Sequence, residues 1–63
     1  MPEPSETLRT LRHDLANPLS AILAEAQLLL LSEEKYDPET LGGLRQIEAL
    51  ARRMRDMLHD VHT

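Results

Sequence analysis

Two apolar runs, each stepping only by threes and fours, constrain this chain more than any other feature. The first is Leu8, Leu11, Leu15, Leu19, Ile22, Ala26 and Leu29; the second is Leu41, Leu44, Ile47, Ala51, Met54, Leu58 and Val61. That period puts an apolar stripe along one side of an α-helix, and a strand does not reproduce it. Between the runs, Asp37-Pro38-Glu39 carries a capping carboxylate, a proline suited to the first helical position and an acid for the first turn. Pro4-Ser5-Glu6 offers a weaker start, with Ser5 to cap free amides and Glu6 at the positive end of the dipole. The spacing predicts one domain over 1–63, with helix 1 over about 5–31, a turn over about 32–37 and helix 2 over about 38–62. At 1.5 Å per residue each helix extends roughly 35–40 Å.

A pair of helices of this kind can cover each other along one line only. The 63 residues include no cysteine, phenylalanine or tryptophan and a single tyrosine, Tyr36, so the core must be aliphatic and no disulfide can staple it. The Leu28–Leu31 block is apolar nearly all round and needs neighbours on more than one side. The expected fold is therefore all-α: an antiparallel two-helix hairpin that dimerises into a four-helix bundle, with no stable folded monomer. Met54 and Met57 read as gap-fillers of that core. Gly42-Gly43 weakens the first turns of helix 2 by roughly 1 kcal/mol per glycine. The pair reads as close packing or a soft helix start, with a hinge as the alternative.

The net charge of −4 argues against nonspecific binding to nucleic acid or to an anionic membrane, both of which favour basic surfaces. The acidic, proline-containing stretch Met1–Glu6 lacks the regions of a signal peptide, and the Leu28–Leu31 run is far too short to span a bilayer. The chain reads as cytoplasmic, either on its own or as the cytoplasmic part of a membrane-anchored sensor.

Within helix 1 lies His13-Asp14-Leu15-Ala16-Asn17-Pro18-Leu19. His13 is two positions from both Leu11 and Leu15, which turns it away from the apolar seam. Asn17 follows one turn later on the same outer face, and Asp14 sits on its flank. The one irregular step of the seam, Leu15 to Leu19, coincides with Pro18. That proline removes the hydrogen bond to the Asp14 carbonyl and clashes with it, so a bend just after His13 is predicted. A histidine that attacks a γ-phosphorus needs one unprotonated ring nitrogen, and a carboxylate on the other N–H fixes that tautomer. No Gly-rich phosphate loop or metal-binding carboxylate cluster accompanies it in the sequence.

The heptapeptide resembles the H-box of sensor histidine kinases: His, an acid, an apolar residue, a variable one, Thr or Asn, Pro, Leu. From about Thr7 to Val61 the chain resembles the dimerisation and histidine phosphotransfer domain of that family. Ala16 departs from the pattern, standing where a basic residue is common. The resemblance implies that His13 is the phosphoacceptor, taking phosphate from a separate ATP-binding catalytic domain and passing it to an aspartate of a response regulator. It implies that Asp14 is the base or orienting partner and that Asn17 positions a water for phosphatase activity. It further implies that Pro18 lets the upper helix bend. ATP and Mg2+ are then expected on the catalytic domain, with no cofactor or metal bound by this segment. The expected partners are a second copy, the catalytic domain and the receiver domain of the regulator, with no nucleic acid and no direct membrane contact. The alternative is a non-catalytic hairpin serving as a dimerisation or adaptor module.

Other signals carry less. His59, Asp60 and His62 read as last-turn residues interacting with the helix dipole rather than as a metal site. Arg52, Arg53 and Arg55, with Asp56, read as a solvated face with local ion pairs. Arg9 and Arg12 are candidates for steering a phosphate, and Ser20, one turn beyond Asn17, for lining a docking surface.

Overall fold

The computed structural model describes residues 4–60. Helix α1 runs Pro4–Leu30, a short 3-10 turn covers Glu33–Lys35, and helix α2 runs Pro38–His59; no strand occurs among the described residues. The two helices lie antiparallel in a rod of 51 × 15 × 13 Å, an all-α hairpin.

The helix ends follow local chemistry. Pro4 opens α1, so Ser5 lies in the first turn instead of capping it, and the cap position falls outside the described residues. At the other end the ladder tightens to i→i+3: the Leu31 amide donates to the Leu28 carbonyl and the Ser32 amide to Leu29, each at 3.2 Å. Asp37 has the extended backbone of a cap, and its carboxylate accepts a 2.7 Å hydrogen bond from the Thr40 amide, with Pro38 at the first helical position. An Arg45–Glu33 ion pair at 2.9 Å ties the turn to α2.

The packing corrects the single seam expected for each helix. The side chains withdrawn from water are Leu19, Leu23, Ala26 and Ala51, with Leu58 packed against the cluster of Leu19, Leu23 and Ala51. On α1 the inward line is Arg12, Ala16, Leu19, Leu23, Ala26 and Leu30, all buried or half-buried; on α2 it is Leu41, Leu44, Glu48, Ala51 and Leu58. Leu8, Leu11, Leu15, Ile22 and Leu29 stay about half exposed, and so do Ile47, Leu50 and Met54. Each helix therefore carries two apolar lines, one for its hairpin partner and one left over. The Leu15-to-Leu19 step is a change from one line to the other, so the apparent stutter is not an irregularity of a single supercoil. Met54 and Met57 belong to the outer line and are not core residues of the hairpin.

Small residues face large ones along the inward line: Ala51 receives Leu19 and Leu23, and Ala26 shares a groove with Leu44. Such pairing brings helix axes close and leaves few voids. The outer lines border an apolar groove formed by Leu15, Pro18, Ile22, Ile47, Leu50 and Met54 over the buried Leu19 and Ala51. Gly42 and Gly43 are exposed, and a Cβ at either would meet nothing within 4 Å of the hairpin, so close packing inside the hairpin does not account for them.

Candidate functional site

His13 projects from the middle of the N-terminal half of α1 and is exposed. It forms one wall of a cleft of about 320 Å³ between the helices, on a different side from the apolar groove. The floor is Ala16, Leu19 and Leu58; the rim is Arg12, His13 and Ser20 from α1 and Arg55 and His59 from α2. Antiparallel pairing brings these elements together, because the middle third of α1 lies beside the last turns of α2. Ala16 is small and half-buried, which opens the floor between the two polar rims.

The cleft differs in charge from the chain as a whole. Acidic residues outnumber Lys and Arg by 11 to 7 over the sequence, yet the cleft is lined by two arginines and two histidines without a carboxylate. An anion entering it meets two guanidinium groups and no opposing carboxylate in the lining, over an apolar floor that strengthens their field relative to open water.

The other residues of the heptapeptide are distributed around the helix. Asp14 and Asn17 are exposed and lie outside the cleft lining. Among the described residues no hydrogen bond or ion pair joins Asp14 to the His13 ring. Consecutive helical side chains diverge by about 100°, which separates the two. Pro18 lies within α1, facing the apolar groove, and the helix continues through it. Ser20 lines the cleft with His13, while Arg9 stands outside it.

Arg55, read from sequence as part of a solvated face, and His59, read as a last-turn residue, both line this cleft, which sequence reasoning did not assign to them. Arg55 lies midway between the inward-facing Ala51 and Leu58, and its place in that register is the signal that locates it. Its nearest ion pair is with Asp56, at 3.4 Å, and Arg52 pairs with Glu48 at 3.7 Å. No group of three or more His, Cys, Asp or Glu side chains suited to a metal occurs among the described residues; His62 lies outside them. Nor is any helix among them long and apolar enough to cross a membrane.

Neither the curated proteins nor the solved structures gave a match. A family model did, over nearly the whole chain. It matches residues 5–63 and describes the His Kinase A (phospho-acceptor) domain; the chain belongs to that family, whose domains serve phosphoacceptance and dimerisation in histidine kinases.

Proposed function

We propose that this chain is the phosphoacceptor and dimerisation module of a two-component sensor kinase and that His13 takes the phosphoryl group. The observation that carries the reading is an exposed imidazole, in a chain of this family, set on the wall of a cleft lined by two arginines and no carboxylate. A neutral ring nitrogen of His13 attacks the γ-phosphorus of ATP held with Mg2+ by a separate catalytic domain. The N–P bond forms as the bond to the β-bridging oxygen breaks, and ADP leaves with the electron pair. An aspartate of a response regulator then accepts the group, and the N–P bond breaks in turn.

Asp14 is placed one residue along the same exposed stretch. A change of rotamer, or a bend at Pro18, would bring its carboxylate to the His13 N–H and stabilise the imidazolium formed on attack. Asn17 lies on the outer face one turn beyond His13, where its amide can orient a water against the regulator's aspartyl phosphate. Pro18 removes a backbone hydrogen bond at Asp14 and so weakens α1 next to the reacting ring. The outer apolar lines of both helices supply the surface on which a second copy docks.

The test mixes the chain with an ATP-loaded histidine-kinase catalytic domain and follows acid-labile, base-stable phosphate. Label that is lost in His13→Gln supports the reading. Label that persists in His13→Gln, or no label where a known acceptor is labelled, overturns it.

A further inference from the structure

We propose that Arg55 of α2 grips the phosphoryl group carried by His13 of α1, making the interhelical cleft a binding site for that dianion; this rests on His13 being the acceptor. The two side chains come from different helices and line the same cleft. With Arg12, Ser20 and His59 they give it a rim that holds two guanidinium groups and no carboxylate, in a chain whose net charge is −4.

The position of Arg55 is informative. It lies between Ala51, which is buried, and Leu58, which is half-buried, where an apolar side chain would extend the hairpin's core. A guanidinium there gives up that packing and faces the opening above Ala16. Its ion pair with Asp56 is long, at 3.4 Å, and the two side chains are 54% and 69% exposed, so the pair is weak and easily left. A guanidinium offers paired N–H donors that match two phosphoryl oxygens at once, which a lysine cannot do.

The charged and titratable groups facing the phosphoryl site are Arg12 on α1 and Arg55 and His59 on α2, with Asp56 beside Arg55. A cation on the phosphoryl oxygens favours the dianion over the monoanion. It also opposes protonation of the ring, the event that makes a phosphohistidine labile. Both effects prolong the life of the N–P bond.

Phosphoramidate provides the test without a kinase domain. The unprotonated nitrogen of the His13 ring forms a P–N bond as the donor's own P–N bond breaks, and the proton on the ring's other nitrogen passes to the departing amine, which leaves as ammonia. Phosphorus NMR then follows the His13 signal, identified as the one missing in His13→Gln. In Arg55→Gln the second ionisation of the phosphoryl group is expected to rise by roughly 0.7 unit, the size of one unit charge at about 4 Å in water-like surroundings. Hydrolysis at neutral pH is expected to quicken by about two- to fivefold. Arg55→Lys, which keeps the charge without the paired donors, should restore both effects only in part, and Arg53→Gln, which removes a charge outside the cleft, should leave them unchanged.

Equal behaviour of Arg55→Gln and Arg53→Gln would overturn the assignment while leaving His13 as acceptor. A His13 ring that takes no label, where the exposed His59 does, would overturn the acceptor role and this assignment with it.

Discussion

Two neighbouring residues of α1 separate the inner apolar line from the outer one. Leu23 is 7% exposed and packs in the hairpin core, whereas Ile22 is 51% exposed and borders the open groove. Truncating Leu23 to alanine removes a packed side chain from the hairpin itself, at a cost of about 2–5 kcal/mol. Ile22→Ala should behave differently. Fully burying an isoleucine is worth about 1.5–3 kcal/mol, and roughly half of that area remains open in the lone hairpin. Docking a second copy on the groove would therefore draw about 1 kcal/mol from each Ile22. Two copies give about 2 kcal/mol, or roughly 30-fold in the dimer dissociation constant. Sedimentation equilibrium gives that constant directly, and the dependence of Tm on protein concentration gives it again. Ile22→Ala should weaken association, and Tm should rise with concentration in the parent chain. A monomeric mass with a concentration-independent Tm would refute the argument, as would an Ile22→Ala variant that associates as tightly as the parent.

Further outcomes follow from the second helix. Thr40 hydrogen bonds, from the hydroxyl first and the amide second, hold the Asp37 carboxyl below the usual aspartate range against a small opposing effect of burial. A depressed folded-state value means that the stabilisation is present above the unfolded value of about 4 and fades as pH falls through the folded one. Asp37→Asn keeps the cap without the titration, so the Tm difference from the parent should shrink in acid, while Asp37→Ala should lower Tm at neutral pH. Gly42→Ala should stabilise the chain by about 0.5–1 kcal/mol, because the position is helical, exposed and open, and denaturant melts would show it.

Much of the fold is written in the sequence. Asp37-Pro38-Glu39 announces the second helix because capping is a local interaction, decided within four residues. The two helices are legible for the same reason: the three-and-four period is a property of each segment alone. What the period does not say is which apolar residue faces which neighbour. Leu15 and Leu19 are both leucines one turn apart, but one meets the groove and the other the core, and only the partner helix decides. The same uncertainty hid part of the cleft. His13 stood out because its immediate neighbours form a pattern. Arg55 lies 42 positions away and becomes its companion only when α2 folds back. In sequence it looks like one more cation in an arginine-rich stretch.

The interior of this hairpin is little more than a single row of side chains, with alanine at Ala16, Ala26 and Ala51. A seam that narrow rests on a few leucines, Leu19, Leu23 and Leu58, seated around Ala51, so little else fixes the angle at which one cylinder lies on the other. Because His13 and Arg55 line one cleft from different helices, a rotation of α1 about its own axis would change the distance between them. The grip of Arg55 on the ring's cargo is thereby tied to the angle of a rod.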